Sequence, residues 1–174
     1  SSEAAGYVTQ DGNITGWLNE LAFAPVDYNP GAPADEWSGD IGVGALYFSQ
    51  QCVGRLAPVA GIQSENMKNL PVLLEEVQAL HSAGDERAAS IFQTMGVYLG
   101  YTVAHYADFY DFNHMLILGR CTSGEGGPTM LEQAKAILAA EFPDLAAKVN
   151  LMLPDERLRR VGQAIAAASL PEIR

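Results

Sequence analysis

The sequence predicts an α/β domain with a mixed sheet, in which antiparallel strands at the N-terminus are followed by flanking helices. Three observations predict it. An Asp11-Gly12 step separates two strand-like runs, 6–9 and 13–18, which is a strong hairpin signal. Apolar residues then recur at helical spacing through most of 43–110. Last come an apolar strand at Met115, Leu116, Ile117 and Leu118, a glycine-dense loop, a helix, a second strand and a further helix.

Taken in order, the second strand of the hairpin is expected to continue through Leu21, Phe23 and Val26, because apolar positions alternate around Glu20. Residues 27–44 are rich in Pro, Gly and Asp, sustain neither regular period, and read as a long ordered loop or flap. Gly39, Gly42 and Gly44 sit at its end and read as a simple entry to a helix. That helix is expected from Val43 through Leu46, Tyr47, Gln50 and Val53 to Leu56, stopping before Pro58. Ser64 or Asn66 is expected to start the next helix, with Leu70, Leu73, Leu74 and Val77 on one face and Pro71 in the first turn. Asp85 is the expected N-cap of a longer helix whose stripe of Ile91, Met95, Leu99 and Val103 persists to about Tyr110.

The run at Met115 to Leu118 is continuously apolar, as a strand covered on both faces would be. Pro128 suits the first turn of a helix carrying Leu131, Ala134 and Leu138. Residues 149–153 read as a short second strand, and Asp155 as the cap of a closing helix with Leu158, Val161 and Ile165. No internal repeat is evident.

At 174 residues and 48% hydrophobic content, a single domain spanning 1–174 with a sizeable core is expected. Ten basic residues against twenty-one acidic ones give a net charge of −11, which opposes phosphate neutralisation and argues against nucleic-acid binding by this chain. No apolar run approaches the roughly 20 residues that span a bilayer, and no secretory signal pattern is visible. A soluble, cytoplasmic protein with no membrane partner is the expectation. Cys52 and Cys121 have no CxxC partner and read as reduced core residues.

Gly119, Gly124, Gly126 and Gly127 follow the apolar strand directly, so backbone N–H groups there are open to close approach by a ligand. The loop is not a Walker A motif, because Glu125 and Gly126 stand where Lys and Ser/Thr are required. Nor is it a dinucleotide fingerprint, since Arg120 and Cys121 follow Gly119. Either it cradles a flat or polar ligand through its backbone, or it is an ordinary glycine-rich connection. Asp108 and Asp111 lie in an aromatic helical run and read as structural, as do the isolated His105 and His114. No nucleophile–base pairing is indicated, and no catalytic residue is assigned.

Several stretches resemble one family. NELAFAPV, at 19–26, resembles a GExGHxxV segment, and GVGALYFSQQCVGRLA, at 42–57, resembles the helix after a sugar-binding loop. YLGYTVAHYADFYDFNHMLILGR, at 98–120, resembles a helix–strand–GG adenosine segment, and VGQAIAAASL, at 161–170, a closing GAA-type helix. The chain resembles the C-terminal lobe of a ROK-family protein (repressors, uncharacterised proteins and sugar kinases), within the actin and hexokinase-like ATPase superfamily. The resemblance implies an actin-like, ribonuclease H-like lobe of a bilobal sugar kinase that transfers the γ-phosphoryl of Mg-ATP to a sugar.

Glu20 falls on the family glutamate that hydrogen-bonds sugar hydroxyls; otherwise it is a solvent-facing strand carboxylate. Gly119, Arg120, Gly124, Gly126 and Gly127 fall on the segment that receives adenosine. Arg120 replaces the second glycine of a GG pair, where it either stacks on adenine or reaches a phosphate, or else marks lost nucleotide binding. Phe23 stands in place of a family histidine, which alters the inherited sugar specificity. Asp35, Glu36 and Asp40 are candidate replacement acceptors, and Tyr28 and Trp37 candidate stacking rings. Residues 27–44 hold no Cys or His, so no zinc is expected. ATP and Mg2+ are expected for the whole protein, whose phosphate loop and catalytic aspartate belong to a missing N-terminal lobe; this lobe alone is expected to be inactive. The alternative is a non-catalytic sugar-sensing or oligomerisation domain, such as a repressor effector lobe or pseudokinase. A homo-oligomer is also expected; in a third reading, a purely oligomer-forming lobe, the aromatics of 98–112 line a subunit interface.

Overall fold

The computed structural model describes residues 3–154. It is mixed α/β, with helices forming the bulk and two small sheets at the periphery. Strands β1 (Ala4–Val8) and β2 (Ile14–Glu20) pair antiparallel, Ala4 opposite Glu20 and Val8 opposite Ile14, with a register shift between Gly6 and Val8. The Asp11-Gly12 turn closes as expected: Gly12 takes φ +81°, and the Asn13 N–H bonds the Thr9 hydroxyl at 3.1 Å.

β2 stops at Glu20 rather than running on to Val26. The Glu20 carboxylate accepts the Ala22 N–H at 3.0 Å and the Leu21 carbonyl accepts the Ala24 N–H, which turns the chain inward. Ala22 is thereby buried with Val43, Ala45, Leu46 and Tyr47. The expected flap is an ordered loop pinned by its own aspartates. Asp27 accepts the Asn29 N–H, Asp35 accepts those of Trp37 and Ser38, and Gly42 lies so close to the Asp27 carbonyl that a Cβ there would sit 1.9 Å from it.

The helix expected over 43–56 is divided. A single 3-10 turn at Gly44–Leu46 precedes α1 (Gln50–Val59), which starts where the buried Ser49 hydroxyl accepts the Gln51 N–H at 3.1 Å. Pro58 lies inside α1, not beyond it. It costs only one hydrogen bond in the last turn, and Gly61, at φ +77°, lets the Ile62 N–H close back on Ala57. α2 (Leu70–Ser82) has Pro71 in its first turn and buries Leu73, Leu74 and Val77, as the pattern predicts. It begins later than Ser64 or Asn66. Those two side chains instead bond Glu76, at 2.5 and 2.6 Å, and strap the preceding turn to the helix.

α3 (Glu86–Ala107) starts at the Asp85 cap and buries Ile91, Met95, Leu99 and Val103. It packs most extensively on α4 (Gly126–Glu141), where Gly96 and Gly100 admit the backbone of Met130 and the side chain of Ile137. Ala134 and Leu138 of α4 are buried against it, and Pro128 occupies the first turn of α4. A short helix absent from the expectations, α5 (Pro143–Lys148), leads into β4 (Asn150–Met152).

β4 pairs parallel with β3 (His114–Leu116), so the expected second strand forms. β3 is shorter than the apolar run and is not covered on both faces: Leu116 is 51% and Leu118 61% exposed. Among the described residues the strands make two separate two-stranded sheets, not one mixed sheet. No described helix is long and apolar enough to cross a membrane. The closing helix expected from Asp155, with the 161–170 segment, lies outside the described residues.

Candidate functional site

Two regions anticipated from sequence and one that was not come into view around β3. Glu20 stands exposed at the carboxyl end of β2, with one carboxylate oxygen engaged by the Ala22 N–H. Phe23, three residues on, packs on Trp37 with ring centroids 5.5 Å apart. Trp37 itself is 85% exposed and Tyr28 71%. Asp35 is buried and committed to its own loop, whereas Glu36 and Asp40 are exposed.

The glycine loop leaves the carboxyl end of β3 through Gly119, at φ +110°, and reaches α4 by way of Gly124, at φ +58°. A single 3-10 turn, Arg120–Thr122, lies between them. The Thr122 hydroxyl and N–H both bond the Gly119 carbonyl, and the Gln78 amide bonds the Arg120 carbonyl at 2.7 Å, so the turn is braced from two sides.

Its four glycines divide into two kinds. Gly119 and Gly124 are exposed with Arg120, and an added Cβ would meet nothing at Gly119. Gly126 and Gly127 are buried, and a Cβ would lie 2.8 Å from Phe92 Cε1 and 2.5 Å from the Thr122 carbonyl oxygen, respectively. Their smallness therefore serves the seating of α4 on the turn and on Phe92.

Between these regions runs a cleft of about 680 Å3. Ala5, Gly6 and Tyr7 of β1 form one wall, His114 through Leu118 another, and Leu99, Thr102 and Tyr106 of α3 the floor. Leu21 borders it beside Glu20, and Leu118, Cys121 and Thr122 border it beside the glycine loop. The anticipated ligand-contacting residues flank the cleft; Glu20, Gly119, Arg120, Gly124, Gly126 and Gly127 do not line it.

Glu3 does line it, and sequence reasoning missed it. Its carboxyl accepts the Tyr106 hydroxyl at 2.7 Å, and its other oxygen is buried without a hydrogen-bond partner. Gly44 makes the room, since a Cβ there would fall 2.2 Å from the carboxyl. Burial pushes Glu3 up to about 7, against the hydrogen bond from Tyr106, and the nearby Glu20 charge adds to the rise. Burial and the adjoining carboxyl hold Tyr106 neutral well above the ordinary tyrosine range. The pair is a tyrosine–carboxyl hydrogen bond in which the proton stays on Tyr106. A signal existed in the sequence: Tyr106 continues the Leu99 and Val103 stripe, and a buried tyrosine hydroxyl requires a partner.

Compared with known protein families, characterised proteins and solved structures, the chain matches none.

His105 and Asp111 have structural partners. The His105 ring bonds the Pro25 carbonyl at 3.2 Å and packs edge-on against Tyr28 and Phe109. Asp111 pairs with Lys148. Cys52 and Cys121 are free buried thiols, pushed by burial up to about 12 and about 11. Among the described residues, no three His, Cys, Asp or Glu side chains cluster as metal ligands.

Proposed function

We propose that the chain is the C-terminal, actin-like lobe of a bilobal ATP-dependent sugar kinase of the ROK type. Glu20 orients the sugar, and the turn through Gly119, Arg120, Gly124, Gly126 and Gly127 receives adenosine. The observation that carries the reading is the order strand, left-handed glycine turn, helix over β3, 119–125 and α4, with Arg120 exposed where the strand ends. That is the arrangement an adenosine-receiving segment needs, since a ligand approaches the backbone at the carboxyl end of a strand.

In this reading the whole protein carries ATP and Mg2+, and the phosphate loop and reactive carboxylate belong to an N-terminal lobe. This lobe supplies binding surface and leaves the chemistry to its partner half. The protein works in the cytoplasm as a homo-oligomer.

A second reading, a sugar-sensing or assembly lobe without catalysis, has one specific observation behind it. Phe23 occupies the place of the family histidine and packs at a tilt on Trp37, so the sugar side offers an aromatic ring where a hydrogen-bonding ring is expected. Calorimetric titration of the two-lobe protein with a panel of hexoses and with Mg-ATP separates the readings. Heat from both ligands supports the kinase, and heat from sugar alone the sensor. Silence with every ligand removes both.

A further inference from the structure

We propose that Tyr47, Tyr98 and Tyr101, together with the Asp27 carboxylate, form a cage for a small organic cation, and that it takes a trimethylammonium headgroup of the kind choline carries. None of these residues belongs to the sugar or nucleotide contacts of the kinase reading, so the site stands or falls separately from it.

The four residues surround a pocket of about 240 Å3 that Val26 and Thr102 complete. Sites for drug-sized ligands run from about 300 to 1,000 Å3, so this one fits a small headgroup. Tyr98 and Tyr101 are three residues apart on α3 and share a face of that helix. Tyr47 follows the 3-10 turn at Gly44–Leu46, and its ring meets that of Tyr98 at 83° with centroids 5.2 Å apart. Two perpendicular rings make a corner, and Tyr101 lines the same space.

The walls are fixed by the protein itself. Val26 and Asp27 both donate their N–H to the Gly42 carbonyl, which holds the loop in place. The Tyr47 hydroxyl donates to Asp27 Oδ2 at 2.5 Å. The Tyr101 hydroxyl donates to Glu141 at 2.6 Å, and its ring packs edge-on against Phe142. A cage already assembled loses little freedom when a ligand enters.

The class of ligand follows from what these bonds leave over. The hydroxyl protons of Tyr47 and Tyr101 are committed to carboxylates, so those residues offer a ligand ring faces and acceptor lone pairs rather than donors. Burial, and then the bond to Asp27, push the Tyr47 hydroxyl above the ordinary tyrosine range, so it keeps its proton. An anion or a hydroxyl-rich ligand finds too few donors here. A cation finds electron-rich ring faces beside a carboxylate, the combination that recognises quaternary ammonium groups. The net charge of −11 also draws cations towards the chain. One group opposes: the Arg55 guanidinium lies 5.3 Å from the centre of the Tyr47 ring, outside the pocket lining. It shows that this ring accepts a cation, and its charge weakens the affinity for a second one.

The test is an NMR titration of the 174-residue chain with choline. N-methyl protons seated against tyrosine faces feel their ring currents, so the choline methyl signal should move upfield and saturate in the millimolar range. The uncharged tert-butyl analogue of choline should bind roughly tenfold more weakly. Asp27→Asn keeps an oxygen for the Tyr47 hydroxyl but removes the charge, and Tyr101→Leu removes a ring that is 43% exposed. Each should weaken choline binding about threefold or more, and Tyr101→Leu decides alone if Asp27→Asn does not fold. Arg55→Met should tighten it by about threefold. Equal affinity for choline and its tert-butyl analogue overturns the proposal, as do shifts that never saturate, full affinity in the folded Tyr101→Leu and Asp27→Asn chains, or weaker binding by Arg55→Met. Co-sedimentation with phosphatidylcholine vesicles that free choline displaces assigns the headgroup to a lipid; choline binding without co-sedimentation assigns it to a free solute.

Discussion

Burial leaves Glu3 about half-protonated near neutrality, and this couples the stability of the hairpin region to pH. Its folded value of about 7 lies above the ordinary 4.5, so the folded state holds the proton more tightly than the unfolded chain does. The resulting stabilisation is fully present below about pH 4.5 and is lost as pH rises through about 7. Thermal melts across that window should show wild type losing Tm relative to Glu3→Gln; parallel curves would place the carboxyl in water. Gly126→Ala should cost about 1–3 kcal/mol by pressing a methyl into Phe92, measurable by urea denaturation. An unchanged midpoint would mean that α4 can slide away from Phe92. The stripe through Leu99 and Val103 signalled a buried Tyr106 hydroxyl in need of a partner, but not that Glu3 supplies it, because the contact joins residues more than a hundred positions apart.

The elements whose faces follow a local period were legible. The stripes of α2, α3 and α4 and the Asp11-Gly12 hairpin depend on neighbours a few residues away, so the pattern carries them. Element ends were less legible because single side chains decide them. Glu20 ends β2 by capping the Ala22 N–H, and Ser49 divides one expected helix into a turn and α1. Ser49→Ala should therefore destabilise the protein by about 1 kcal/mol and fray α1 first, seen as faster exchange of the Gln51 and Cys52 amides. Retained protection at those amides would show that packing of Cys52 and Val53 alone holds the end. α5 escaped notice because six residues are too few for periodicity, although Pro143 and Asp144 in its first turn were a usable signal.

At the scale of the molecule, helices supply the core and the strands sit as two small sheets on either side of an apolar cleft. The class α/β was legible from element order; that the described strands form two separate sheets rather than one mixed sheet was not, because pairing depends on chain-distant edges. Glu20 and the glycine turn were reached through resemblance, and both stand at the rim of that cleft rather than inside it. The most direct measurement is ATP-dependent phosphorylation of hexoses by the two-lobe protein, with the 1–174 chain and a Glu20→Ala variant run alongside. The account predicts turnover by the two-lobe protein, none by the 1–174 chain, and a KM for sugar raised at least tenfold by Glu20→Ala. Turnover by the 1–174 chain alone, or a Glu20→Ala variant with unchanged KM, would contradict it.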